Sequence, residues 1–171
     1  MIAIVGCGNP NRSDDGVGSE VLRLLSLRNI ADWTPQARLF DAGTDGMSVM
    51  FAARGCRSLV VVDACRSGSE PGAVFEVPGA ELEQRHVASL NLHDFRWDHA
   101  LFAGRRIFRE AFPEDVTVFL IEAENLALGT TMSAAVAAAA VKVADRIEDM
   151  LRNAAQAELL TRAVEGLADA R

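Results

Sequence analysis

The sequence predicts an α/β fold, a single-domain three-layer sandwich with a mostly parallel, twisted sheet and helices on both faces. Three observations predict it. Residues 58–62 and 116–121 are nearly continuous runs of β-branched and other apolar side chains, the pattern of strands buried on both faces. Between such runs the apolar residues return at helical spacing, and alternating strands and helices build parallel sheets through helical crossovers. The chain, at 171 residues, is long enough for one hydrophobic core and short for two, and no repeat, linker or low-complexity segment divides it.

The elements follow in order. Residues 2–5 form a short apolar strand that ends at Gly6-Cys7-Gly8. A helix begins near Asp14, with Val17, Val21, Leu24 and Leu25 as its apolar stripe and Ser13 or Asp14 as N-cap. Residues 37–40 read as a second strand, closed by Asp41-Ala42-Gly43-Thr44, and residues 47–53 as a short helix. The buried run 58–62 ends at Asp63. Residues 73–77 form a strand after the turn Gly68-Ser69-Glu70-Pro71-Gly72. A loop carrying Ser89 to His93 leads into a helix that runs to about Phe108, and 116–121 is the last strong strand. From Ser133 a long helix places Val136, Ala140, Val143, Ile147 and Leu151 on one face. The expected domain is therefore 1–151, with 152–171 a more polar tail, helical or partly disordered.

Composition narrows the function. Half the residues are apolar and 24% charged, the make-up of a folded globular domain. The net charge of −7 excludes electrostatic capture of nucleic acid or an anionic membrane, because no basic stripe offsets it. The segment Gly104-Arg105-Arg106-Ile107-Phe108-Arg109 is interrupted by apolar residues and reads as a solvated helix face. No apolar stretch reaches the ~18–20 residues that cross a bilayer. The apolar start has no cationic lead and no cleavage site, so a cytoplasmic protein is expected, its three cysteines Cys7, Cys56 and Cys65 reduced.

In open α/β sheets ligands bind beyond the carboxyl ends of the strands. Three predicted strand ends carry acids there: Asp14-Asp15, Asp41 and Asp63, and the loop before the middle helix adds His93. Carboxylates with an imidazole suit a borderline divalent ion such as nickel, zinc or iron. Each residue has a structural reading beside the functional one. Asp14 and Asp15 suit the first turn of a helix, where carboxylates cap free N–H groups. Asp41 suits a turn. Asp63, at the edge of a buried strand, requires either a structural partner or a ligand to offset desolvation. Cys7 and Cys65, at predicted strand ends, read as small buried residues, or as soft ligands or a regulatory disulfide. His86, His93 and His99 are individually weak signals, and His93 and His99 are too far apart in sequence to form a helical i, i+4 metal pair. Motifs for a zinc protease, a paired-cysteine site and a Gly-x-Ser-x-Gly nucleophile elbow are absent.

The run Gly6-Cys7-Gly8-Asn9-Pro10-Asn11-Arg12-Ser13-Asp14-Asp15-Gly16-Val17-Gly18 resembles the opening motif of the hydrogenase maturation proteases, Gly-x-Gly-Asn followed by an acidic pair and Gly-x-Gly. Asp41-Ala42-Gly43-Thr44-Asp45-Gly46 is similar to that family's second turn, and Val61-Val62-Asp63-Ala64 to its strand-end Val-Asp-Ala. The likeness extends more loosely to Leu120-Ile121-Glu122-Ala123-Glu124 and Met132-Ser133, and covers about residues 1–151. The resemblance implies a hydrolase, an aspartic-type endopeptidase with metal-dependent recognition. It would remove the C-terminal extension of the large-subunit precursor of a nickel–iron hydrogenase and so activate that enzyme. It implies Asp15, Asp63 and His93 as metal ligands, Asp15 and Asp63 as catalytic carboxylates, and nickel presented by the precursor. His99 is the alternative histidine, since the segment Ser89-Leu90-Asn91-Leu92-His93 departs from the family's spacing. The expected partner is the precursor, met by a monomer.

Two other readings remain. A non-catalytic accessory protein would use the same three ligands to bind precursor and metal without cutting. A nucleotide-binding Rossmann-like protein would share the strand, Gly6-x-Gly8 and helix, with Asp41 ending the second strand. Against the latter, Asn11 replaces the third glycine, and Asp14-Asp15 puts negative charge where a pyrophosphate would sit.

Overall fold

The computed structural model describes residues 1–83 and 95–168. Five strands, β1 (Ile2–Cys7), β2 (Ala37–Gly43), β3 (Ser58–Cys65), β4 (Val74–Pro78) and β5 (Asp115–Glu122), form one sheet in the order β2-β1-β3-β5-β4. The first four of that order run parallel, and β4 pairs antiparallel with β5 at the edge. The hydrophobic pattern does not encode the direction of β4. The short 66–73 connection does, because a parallel return needs a crossover of about a dozen residues.

Alternating strand residues feed two separate cores, as a two-sided sheet requires. Ile2, Ile4, Val60, Val62, Phe119 and Ile121 pack against Val17, Val21 and Leu25 of α1 (Val17–Leu27) and Val136, Val143 and Ile147 of α6 (Ala134–Ala168). Ala3, Val5, Leu59, Val61, Val116 and Val118 pack against Val49 and Met50 of α3 (Gly46–Ala53) and Leu101 of α5 (Trp97–Phe108). The result is the three-layer sandwich that the sequence predicts. Two four-residue helices, α2 (Ile30–Trp33) and α4 (Gly79–Leu82), fill connections. Beyond Asn153 the last helix continues to Ala168, and its Glu158 accepts hydrogen bonds from Gln36 and Arg57. Among the described residues no helix is long and apolar enough to cross a membrane.

Two local readings need correction. Neither Ser13 nor Asp14 caps α1. Residues Ser13–Gly16 form a separate 3-10 turn, and the N-cap position of α1 falls on Gly16, with no side-chain cap. Asp14 is fully buried, and a buried carboxylate must satisfy its lone pairs. It does so across the chain, accepting from the backbone N–H groups of Glu124, Asn125 and Ser133 and from the Ser133 hydroxyl. The strands also outlast their apolar runs. β1 reaches Cys7, β2 reaches Gly43 and β3 reaches Cys65, so Asp63 lies within its strand, opposite Leu120 of β5.

From β1 the chain moves outward to β2, then returns across β1 to β3 and β5. The switch point therefore lies between β1 and β3, and their carboxyl ends diverge into a crevice. Glycines let the α1 side approach it closely. Gly8 has φ +112, and a Cβ there would lie 1.8 Å from the Asp15 carbonyl oxygen; a Cβ on Gly18 would lie 2.2 Å from the Cys7 carbonyl oxygen. The glycines of the first motif thus set the approach of the 3-10 turn and α1 to β1.

Candidate functional site: an acidic cleft at the sheet switch point

A cleft of about 220 Å³ opens at this switch point. Cys7 and Gly8 reach it from the end of β1, Asp15 from the 3-10 turn, Thr44, Asp45 and Gly46 from the start of α3, Asp63 from β3, and Arg96 and Trp97 from the start of α5. Two of the sequence-predicted site residues, Asp15 and Asp63, therefore share one cavity although 48 positions separate them (63 − 15).

Asp63 is 4% exposed and lies on the α3/α5 side of the sheet. Its Oδ2 accepts from the Trp97 indole Nε1–H at 2.7 Å and from an Arg96 guanidinium N–H at 3.3 Å, while Oδ1 accepts from the Ala64 N–H at 2.9 Å. Burial pushes its carboxyl up to about 6; the Trp97 bond, the Arg96 charge and the Ala64 bond hold it lower, and the Asp15 charge pushes it higher. The structural and functional readings of Asp63 both apply, since it is partnered and still faces the cleft.

Asp15 is partly exposed. Its Oδ2 accepts from the Asn9 N–H at 3.0 Å, and no hydrogen bond from the described residues reaches its Oδ1. A loop N–H before α1 is thus taken by the protein's own carboxylate, and that carboxylate puts negative charge where a Rossmann pyrophosphate would sit. Asp45 also lines the cleft, but it is the N-cap of α3, accepting from the N–H groups of Met47 and Ser48 and from the Ser48 hydroxyl.

The other sequence candidates lie elsewhere. Asp41, expected in a turn, lies exposed near the end of β2, paired with Gly6 of β1; it accepts from the Gly43 N–H and the Ser19 hydroxyl and stands outside the cleft lining. His86 and His93 lie outside the described residues. His99 sits in the first turn of α5, its Nδ1 accepting from the Arg96 N–H at 3.4 Å and its ring 6.1 Å from that of Phe95, and it does not line the cleft. Among the described residues no group of three or more histidine, cysteine, aspartate or glutamate side chains is arranged to hold a metal, so Asp15 and Asp63 stand as a pair. The three cysteines are free. Burial, reinforced by the Asp63 charge, raises the Cys7 thiol, and burial with the Glu122 carboxylate pushes Cys65 up to about 12. Both are therefore held as thiols, which ligate metal poorly.

Three contributors escaped the sequence reading. Arg96 and Trp97 close on Asp63 from more than thirty residues away, and only the docking of α5 brings them there. Glu122, at the end of β5, is 3% exposed and accepts from the Ser67 N–H and hydroxyl, the Gly68 N–H and the Cys65 thiol. These bonds hold its carboxyl at about 2 and tie the loop after β3 to the neighbouring strand.

The fold and the cleft define a class, a doubly wound α/β domain with a carboxylate pair at its switch point. The profile of the hydrogenase maturation protease family (HycI) matches residues 23–150, three quarters of the sequence, and the chain belongs to that family. Asp63 and His93 fall inside the matched span, and Asp15 precedes it. Over 95 residues the chain is 33% identical to a relative in Methanocaldococcus jannaschii provisionally named a hydrogenase maturation protease. Over 103 residues it is 34% identical to the coenzyme F420 hydrogenase subunit delta of Methanothermobacter thermautotrophicus. Each match takes in 54% of this chain, and the chain spans 60% and 65% of the length of these two curated relatives. Among solved structures, the hydrogenase maturating endopeptidase HybD from E. coli superposes with a TM-score of 0.71, at 20% identity, over 90% of this chain and 93% of that one. At that identity the likeness is one of fold.

Proposed function

We propose that this protein is an endopeptidase that removes the C-terminal extension of the nickel-loaded large-subunit precursor of a nickel–iron hydrogenase. The observation that carries the reading is the meeting of Asp15 and Asp63 across one cleft in a chain of the maturation protease family. Nickel belongs to the substrate. Among the described residues no hydrogen bond reaches Asp15 Oδ1 and only the neighbouring N–H reaches Asp63 Oδ1, so both carboxylates offer oxygen donors, and His93 is the expected imidazole. Such a mixed set fits a borderline divalent ion. Completing the coordination of the precursor's nickel fixes the scissile bond over the cleft. The reaction adds water across the scissile carbonyl; a cleft carboxylate takes the water's proton during attack and returns it to the leaving amine. Asp15 is the better placed base, because two side-chain donors already hold Asp63.

The protein acts in the cytoplasm, as a monomer meeting one precursor. The test is to incubate it with nickel-loaded and with nickel-free precursor and to measure precursor mass. Loss of a C-terminal peptide from the loaded form alone is expected. Stable association with no mass loss would leave a binding protein rather than a peptidase.

A further inference from the structure

Of the described residues that line the cleft, Arg96 is the one cation, set among the carboxylates of Asp15, Asp45 and Asp63. Asp45 is committed to the start of α3 by three hydrogen bonds, so the charge that Arg96 balances is that of Asp15 and Asp63. The two side chains that donate to Asp63 Oδ2 differ in how firmly they are held. Trp97 is buried and donates at 2.7 Å. The Arg96 side chain is 62% exposed and reaches Oδ2 through a single N–H at 3.3 Å, longer than the ~2.7–2.9 Å of a strong charge-assisted bond and without the paired geometry that guanidinium makes when firmly docked. Its backbone is anchored at the N-cap of α5, and the contact with Asp63 is the one ion pair its side chain makes among the described residues.

We propose that Arg96 is a resident stand-in for the metal. Its guanidinium, held against Asp63 Oδ2, puts a positive charge beside the Oδ1 that would take a divalent ion, and so keeps the free protein from loading ions from solution. A hydrated ion arriving alone must expel a like charge and give up water for two carboxylates. An ion carried by a docked protein substrate meets the same obstacle with the docking interface on its side, and Arg96 then swings out to solvent. Arg96 is thus a specificity-determining residue that favours substrate-borne nickel over free nickel. The inference rests on the reading of Asp15 and Asp63 as ligands of the substrate's metal.

The test is calorimetric titration of the full chain with nickel chloride at one pH, comparing wild type, Arg96→Gln, Arg96→Met and Arg96→Lys, each checked for an unchanged unfolding midpoint. Removing the charge is expected to tighten nickel binding at least about tenfold, since contact between like charges in a partly buried site is worth more than that. Arg96→Lys keeps the charge and is expected to stay near wild type, and adding Asp63→Asn to Arg96→Gln is expected to erase the gain. Equal or weaker binding in both neutral variants overturns the proposal. Precursor cleavage by the wild type separates this from the proposed function. Cleavage with no affinity gain in the variants removes the role of Arg96 and leaves the peptidase. A gain without cleavage leaves Arg96 as the stand-in and removes the peptidase.

Discussion

The indole N–H of Trp97 donates to Asp63 Oδ2 at 2.7 Å and so joins the first turn of α5 to the central strand β3 at the wall of the cleft. The bond makes a buried carboxylate tolerable, and it leaves the Oδ1 side of Asp63 toward the rest of the site.

Trp97→Phe keeps most of the ring and deletes the donor. A hydrogen bond to a charged acceptor is worth roughly 1.5–3 kcal/mol, so a loss of that size is expected in urea unfolding at neutral pH. The indole bond favours the ionised form of Asp63, so its removal also moves the acid limb of precursor cleavage to higher pH. Unchanged stability and an unchanged pH profile would show that the bond does not hold Asp63.

Asp63 itself gives the stability a distinctive pH dependence. Its folded-state value, about 6, lies above the ordinary 3.8, so between those values the native state binds more protons than the unfolded state. Stability associated with the neutral acid is fully present below about pH 4 and is lost as pH rises through about 6, a decline on the order of 3 kcal/mol. Asp63→Asn cannot ionise and is expected to lack that decline while losing precursor cleavage. Denaturant unfolding at about pH 3.5 and about pH 7.5, roughly either side of the window, reads the decline and its loss in the variant.

These relationships mark where the sequence is legible. The apolar runs of β1, β3 and β5 and the stripes of α1 and α6 carry their own periodicity, so fold class and layer assignment follow from local pattern. The carboxyl ends of the strands do not. Cys7, Asp41 to Gly43 and Asp63 to Cys65 look like loop because glycine and polar residues replace the apolar run, yet ladder pairing across the sheet extends the strands through them. Asp63 could be picked out because an acid next to four apolar residues requires explanation. Its partners Arg96 and Trp97 could not, because tertiary docking rather than spacing brings them together.

Glu122 behaves in the opposite sense to Asp63. Its carboxyl, held at about 2 by the Ser67 and Gly68 N–H groups and the Ser67 hydroxyl, lies below the ordinary 4.5. The stability it contributes is present above about 4.5 and is lost as pH falls through about 2. Glu122→Gln is expected to lower the melting temperature at neutral pH and to flatten its fall between pH 5 and 2, windows set by those same values. Thermal melts across that range check it; curves parallel to wild type would mean that the loop after β3 is held by other contacts.

The adjacent acids Asp14 and Asp15 give the sharpest contrast, because sequence treats them alike and the fold does not. Asp14 is fully buried and satisfies three backbone N–H groups and a hydroxyl in the loop that joins β5 to α6. Asp14→Ala strands those donors away from water. At roughly 1–3 kcal/mol for each unsatisfied group, partly relieved by solvent entering the loop, a loss of about 3–5 kcal/mol is expected. Asp15 accepts one hydrogen bond and is partly exposed, so Asp15→Ala is expected to cost no more than about 1 kcal/mol. Cleavage should divide the other way when each variant is assayed well below its own unfolding transition. Asp15→Ala folds and fails to process the nickel-loaded precursor, whereas Asp14→Ala retains processing in proportion to its folded fraction. A stable, fully active Asp15→Ala would take Asp15 out of the reaction and leave Asp63 as the cleft's only working carboxylate.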